Sequence, residues 1–208
     1  MCYLSNSSAD AMMTFTKSAI AALLISTAAF AAPASANDFG LDEARFGGTW
    51  AQPDWLDANH AEDDQFGINA ELLFRPINID LFGVADGETE GFLYSIMNPR
   101  AHLGGMVNFD DDGTSYGYAG LTWQFGLTEA LFLEGGFGLA LNNGEERPSA
   151  TRAGLGSAIT FRESIALGVN VTENITALIQ LEHLSHAEVF DDQNRGLSNI
   201  SARIGYKF

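Results

Sequence analysis

The sequence predicts an all-β fold, an eight-stranded antiparallel transmembrane β-barrel. Three observations carry that expectation. Apolar residues recur at every second position over long segments, as in "FGINAELLFR", where Phe66, Ile68, Ala70, Leu72 and Phe74 share one face. The segments run for about nine to seventeen residues on that count, whereas ordinary globular strands are nearer five or six and a membrane-crossing strand needs about nine to eleven. The opposite face carries Glu71, Glu134, Arg162, Glu182 and Arg203. Buried ionised groups are costly unless paired, so a greasy sandwich core would not hold them. A barrel that is apolar outside and polar inside can, and lipid cannot satisfy strand edges, so the sheet must close.

Eight strands are expected near residues 41–51, 65–75, 99–109, 114–126, 130–142, 153–171, 175–186 and 197–208. The first is the weakest of the eight. The second is the segment quoted above. In the fourth, Ala119, Leu121, Trp123 and Phe125 oppose Tyr118, Thr122 and Gln124. In the fifth, Leu133, Phe137, Leu139 and Leu141 oppose Glu134 and Asn142. In the sixth, the odd positions from Leu155 to Val171 are mainly apolar, and the even ones include Gly156, Thr160, Arg162 and Asn170. The seventh places Ile175, Ala177, Ile179 and Leu181 on one side, and the eighth alternates Ile200, Ala202, Ile204, Tyr206 and Phe208 against Ser201, Arg203 and Lys207. With both ends periplasmic, the short turns "GLTE" and "TEN" are periplasmic and the loops 52–64, 143–152 and 187–196 face outward. The segment 76–98 is then a long periplasmic connection. "DDDG" at Asp110 to Gly113 reads as a hairpin turn rather than a cation site.

The N-terminal segment has a different character. Lys17 precedes the apolar run "AIAALLISTAAFAA", and "PASA" closes it at Ala36. A short charged region, a greasy core and a small-x-small site make a secretory signal, with cleavage expected after Ala36 and Met12 or Met13 as a more natural start than Met1. The competing reading is an N-terminal membrane anchor, but the run is too short to span a bilayer as a helix. Residues 1–36 are therefore expected to be a cleaved signal peptide and 37–208 a single barrel domain. The only cysteine, Cys2, falls in the signal, so no disulfide framework is expected. A net charge of −17, from 10 Lys+Arg against 27 Asp+Glu, argues against a nucleic-acid partner.

One apolar face ends unusually. The outward row of the seventh strand continues from Leu181 to His183 and Ser185. Residues two apart lie on the same face about 6.6 Å apart along the strand. A serine with a hydrogen-bonded imidazole is the minimum for an activated oxygen nucleophile. The bland alternative is that both merely mark the polar membrane interface.

The surrounding residues add to this. "EHLSHAEVFDDQNRGLSNISARIGYKF" resembles the C-terminal hairpin of the outer-membrane lipid A 3-O-deacylases, the PagL or acyloxyacyl-hydrolase family, which shows H-x-S-N, a short loop, N-x-G, an acidic residue and a final strand ending in an aromatic. "TSYGYAGLTWQF", "LEGGFGLALNNG" and "LGSAITFRESIALG" are similar to its middle strands, so the resemblance covers roughly residues 99 to 208. It implies an eight-stranded barrel and a serine esterase acting on the acyl chain at the 3-position of lipid A. It further implies Ser185 as nucleophile, His183 as general base, and Asn194 and Gly196 as the N-x-G, with Asn194 helping to hold the oxyanion. The chain departs from the pattern at His186, where the family has Asn, and at Ser198, where the family has its acid.

The strand pattern offers a replacement acid. Glu163 stands on the lipid-facing row of the sixth strand, where a carboxylate is expensive. If Val171 pairs with Ile175, Glu163 pairs directly with His183; slipping the pairing by two puts Glu163 opposite Ser185 and still diagonal to His183, so in either register Glu163 can reach the imidazole to orient and charge-stabilise it. The bland alternative is a rim glutamate meeting water. Two functional classes follow: a lipid A esterase, or a structural or interaction barrel that kept the scaffold and lost the chemistry. The expected partners are lipid A of lipopolysaccharide as substrate, outer-membrane lipid, the barrel-assembly machinery through the aromatic C-terminal strand, and a second copy in a homodimer. No cofactor is implied, and His60 and His102, lacking metal-ligand spacing, read as a loop residue and an inward barrel residue.

Overall fold

The structure, a computed structural model, describes residues 40–51, 53, 65–77, 92–145, 147, 154–187, 189 and 196–208. Eight antiparallel strands close into a barrel in sequence order: β1 (Leu41–Ala51), β2 (Gln65–Pro76), β3 (Arg100–Asn108), β4 (Tyr116–Gly126), β5 (Leu131–Asn142), β6 (Ile159–Asn170), β7 (Ile175–Ser185) and β8 (Leu197–Lys207). β8 pairs back onto β1, so no strand edge is left open. Seven of the strands fall within two residues of their expected bounds, and the sixth does not. His60, assigned to a loop, lies outside the described residues.

The sixth strand is shorter than its sequence pattern. The alternation runs from residue 153, yet β6 begins at Ile159. Gly156 adopts φ 70°, a left-handed conformation that ends an extended run. Leu155 donates its N–H to the Glu145 carbonyl at 2.8 Å and buries its side chain with Met106, Tyr116, Leu184 and Leu197. The apolar alternation ahead of β6 thus reflects, at Leu155, a plug for the loop end of the barrel rather than a strand.

The outward face is apolar. Phe46, Leu103, Leu139, Ile165, Ile179 and Ile204 are all exposed. The inward face is polar and closed to solvent. Arg45 donates to Glu134 at 2.6 Å and 2.8 Å, to Glu43 at 3.0 Å and to Glu71 at 3.4 Å. Arg203 pairs with Glu71 at 3.1 Å, Arg100 with Glu43 at 3.0 Å, and Arg162 with Glu182 at 2.6 Å. The inward carboxylates expected from the sequence are therefore paired, and β1 contributes two more members, Glu43 and Arg45. His102 is inward and buried, bonded through Nδ1 to Thr122 Oγ1 at 2.8 Å.

Short turns join the strands at one end. In the β4–β5 turn, Thr128 Oγ1 accepts the N–H groups of Ala130 and Leu131; in the β6–β7 turn, Thr172 Oγ1 accepts those of Asn174 and Ile175. Both are Thr-Glu turns in which the hydroxyl replaces a backbone partner. The stretch 110–113 is a turn, closed by Gly113 N–H on the Asp110 carbonyl at 3.0 Å. The β2–β3 connection contains a six-residue helix, α1 (Phe92–Met97), that the sequence reading did not anticipate. Trp123, on the outward row of β4, donates its indole N–H to the Ile96 carbonyl at 3.0 Å and holds α1 against the barrel wall.

Arg45 is the hub of the interior. Arg45→Met would leave three carboxylates without their common cation. Breaking a buried pair costs about 3–5 kcal/mol, so the urea midpoint in detergent, read from heat-modifiable gel mobility, is expected to fall accordingly.

Candidate active site

Alternation along β6, β7 and β8 puts one polar row on the outer wall. Register aligns Glu163 with His183 and His183 with Ser198, so the three residues stand side by side across three strands. The register is set from the turn, where Val171 donates its N–H to the Ile175 carbonyl at 2.8 Å. Ser185 lies one outward position nearer the loops, paired with Phe161. Glu163 is exposed, and His183, Ser185 and Ser198 are half-buried.

His183 leans toward β8. Its Nδ1 shares a hydrogen bond with Ser198 Oγ at 2.8 Å. Among the described residues no hydrogen bond joins His183 to Ser185 or to Glu163. The position that lacks an acid is thus the one that holds the imidazole: a neutral hydroxyl orients the ring, and the carboxylate stands on the opposite side. A side chain two residues along its own strand proved a weaker attraction than a cross-strand neighbour, because directly opposite residues have β-carbons only about 4.5–5.5 Å apart.

The other edge of the ring lies over Gly196. A Cβ at Gly196 would sit 2.5 Å from His183 Cε1 and 2.9 Å from Nε2, and the residue has φ 71°. The left-handed φ favours glycine there, and a Cβ would displace the ring from its present place. Gly196 is nearer the loops than Ser198, so Nε2 is turned toward the end of the barrel where Ser185 sits. In the tautomer in which Nδ1 donates to Ser198, Nε2 carries the lone pair that a general base needs. Asn194, expected to help hold an oxyanion, lies outside the described residues. A depression of about 320 Å³ in the outer wall is lined by Glu163, Ile165, Leu181, His183 and Ser198, among others. Its walls are apolar on the side away from the loops, where Ile165 pairs with Leu181.

His186, which departs from the H-x-S-N pattern, is buried just beyond β7. No group of three or more His, Cys, Asp or Glu among the described residues is arranged to hold a metal ion.

Comparison with known proteins adds to this geometry. No curated protein sequence matches the chain. The crystal structure of the outer membrane enzyme PagL is similar to it with a TM-score of 0.53 at 16% identity, covering 81% of this chain and 99% of that one. Neisserial surface protein A (NspA) gives a TM-score of 0.50 at 14% identity, covering 81% of this chain and 96% of the other. At such identities the likeness shows the fold, an outer-membrane β-barrel. The family model described as lipid A 3-O-deacylase (PagL) matches residues 102–207, from β3 to the end of β8 and just over half of the chain. On that match the chain belongs to the lipid A 3-O-deacylase (PagL) family.

Proposed function

We propose that the protein is an outer-membrane serine esterase that removes the 3-O-linked acyl chain from lipid A of lipopolysaccharide. The observation that carries this reading is the outward row Glu163–His183–Ser198, with the His183–Ser198 bond of 2.8 Å and Ser185 beside it on the lipid-facing wall. A polar row is expensive against lipid, and the same face is where a membrane lipid can reach it. Residues 1–36 act as a cleaved signal peptide, and 37–208 form the barrel in the outer membrane.

In the proposed reaction, Ser185 Oγ attacks the carbonyl carbon of the 3-linked ester, and His183 Nε2 takes the hydroxyl proton. Ser198 keeps the imidazole in the tautomer with its lone pair at Nε2. The tetrahedral oxyanion is held by donors that include Asn194; such donors are typically worth about 3–4 kcal/mol. Collapse breaks the ester bond, and the imidazolium returns its proton to the departing 3-hydroxyl of lipid A. Water, deprotonated by His183, then cleaves the acyl-serine and releases the fatty acid. Glu163 stabilises the imidazolium by its charge from the neighbouring strand. The partners that follow are lipid A, membrane lipid, the barrel-assembly machinery through the C-terminal strand, and a second copy in a homodimer. One observation favours the second reading, an inactive interaction barrel: the hydroxyl of Ser198 brings no charge to His183.

The mature protein should fractionate with the outer membrane and show heat-modifiable gel mobility; recovery as a soluble periplasmic protein would sink the barrel assignment. Purified protein in detergent should release a 3-hydroxy fatty acid from lipid A, detected by mass spectrometry. Ser185→Ala should abolish release with folding intact, and full activity in that variant would show that the nucleophile is another residue. For the charge, Glu163→Gln should lower kcat by orders of magnitude if its loss resembles that of a triad acid. Ser198→Glu should change little while Glu163 supplies the charge, and should raise activity if no acid is at work. Unchanged kinetics in Glu163→Gln would remove Glu163 from the site.

A further inference from the structure

The outward row has a counterpart behind it. Alternation makes each site residue the direct neighbour of an inward one: Glu163 follows Arg162, His183 follows Glu182, and Ser198 precedes Asn199. Those three inward residues form one cluster. Arg162 donates to Glu182 Oε2 from Nε at 2.8 Å and pairs with it through a terminal nitrogen at 2.6 Å. Asn199 Nδ2 donates to Glu182 Oε1 at 3.3 Å and to the Tyr116 hydroxyl at 2.8 Å, and Tyr116 donates to Glu182 Oε1. The Arg162 guanidinium also stacks 3.7 Å from the centre of the Tyr118 ring. Every member of the cluster is buried, and Leu155, Leu184 and Leu197 close it off from the loop end.

From this geometry we infer that Glu182 is a positioning residue for the proposed esterase site, acting through the wall of the barrel. The inference rests on the proposed reading of His183 and Ser185. The physical reason is the nature of a lipid-facing site. Side chains outside the barrel meet fluid acyl chains, which cannot lock a rotamer as a packed core does. Their positions are set by the backbones that carry them. Productive geometry tolerates about 0.5 Å of error. Glu182 ties β6 through Arg162, β8 through Asn199 and β4 through Tyr116 at the level of the site, and it does so in a dry interior where charge-assisted bonds are strong and directional. The backbone ladder alone fixes register; the cluster fixes the relative tilt of the three strands, and with it the distance from Ser198 to the imidazole.

Glu182→Gln keeps the shape and weakens the bond to Arg162. A misplacement near 1 Å can cost about a hundredfold in rate, so kcat is expected to fall about ten- to a hundredfold with KM within about twofold, while the protein still shows heat-modifiable mobility. The ¹⁵N resonances of the His183 imidazole should move toward a mixture of tautomers as the Ser198 bond loosens. Tyr116→Phe, which keeps the ion pair, should have a smaller effect of the same kind. Glu134→Gln is the control: it weakens a buried pair with Arg45 nearer the short-turn end of the barrel, where Glu134 is paired with Ala166 and Arg45 with Gly205, and should leave kcat and the His183 resonances unchanged. A loss of kcat in Glu134→Gln equal to that in Glu182→Gln would show only general destabilisation and overturn the inference. So would a Glu182→Gln protein with unaltered His183 resonances. If the wild type releases no fatty acid, or Ser185→Ala releases as much as wild type, the esterase reading fails, and the resonances still decide whether the cluster holds the imidazole.

Discussion

Among the described residues, four buried arginines and four buried glutamates share the interior of the barrel, and the rest of the structure depends on their pairing. With an outer wall of Phe46, Leu103, Leu139, Ile165, Ile179 and Ile204, the apolar core inside is confined to two small clusters, one around Met106, Leu155, Leu184 and Leu197 and one of Phe132, Ala166 and Leu178. The rest of the inside must be filled, and much of it is filled with charge. An unpaired ion there would cost several kcal/mol, whereas a paired and hydrogen-bonded one is tolerable and directional. Directionality is the gain. Arg45 reaches from β1 to β2 and β5, Arg203 from β8 to β2, and Arg162 from β6 to β7, so the pairs act as struts across a cylinder. Leu155 and its apolar neighbours cap these struts at the loop end and keep water from loosening them.

That construction explains how a site can be built on the outside of the wall. The row Glu163–His183–Ser198 is carried by three adjacent strands whose inward neighbours are tied together, and the imidazole meets Ser198 of β8 and Gly196 just before that strand. Ser198 takes Nδ1, and Gly196 leaves the space that Cε1 and Nε2 occupy. One hydroxyl and one missing Cβ are enough to give the ring a direction. The long side chains of the proposed substrate have only to lie along a wall that is apolar away from the loops.

Much of this was legible in the sequence, and the reasons are physical. Period two survives wherever one face meets lipid and the other a polar interior, so all eight strands could be read from it. The pairing of Glu163 with His183 was one of two registers obtained by counting outward from a short turn; a slip of one would reverse every face, but a slip of two would not, and the Val171–Ile175 turn decides between the two. Other features were hidden. Leu155 alternates like a strand residue, and only the left-handed Gly156 reveals that it plugs the barrel end. Helix α1 has six residues, too few for a helical period to show, and it depends on Trp123 across the chain. The partner of His183 was misjudged, since Ser185 is nearer in sequence but Ser198 is nearer in space. The interior cluster around Glu182 could be anticipated only as a need for pairing, because Tyr116 and Asn199 come from strands that periodicity cannot place beside it.

The split between Ser198 and Glu163 carries a consequence for where the proposed chemistry can run. A triad acid that touches the imidazole orients it and stabilises its charge together. In the proposed site a hydroxyl orients, and the carboxylate would act across a strand pair, at about 5 Å if its side chain follows its β-carbon. Coulomb's law gives such a pair roughly 3 kcal/mol at an effective dielectric of about 20, and less than about 1 kcal/mol in bulk water. The exposed Glu163 is therefore weak in the open site and gains strength only when water is driven from around it. An acyl chain lying over Ile165 and Leu181 would do that, since both line the same depression as the carboxylate and the imidazole. The charge that supports the reaction would then be switched on by the substrate's own hydrocarbon, and a water-soluble ester that left the depression wet would not receive it.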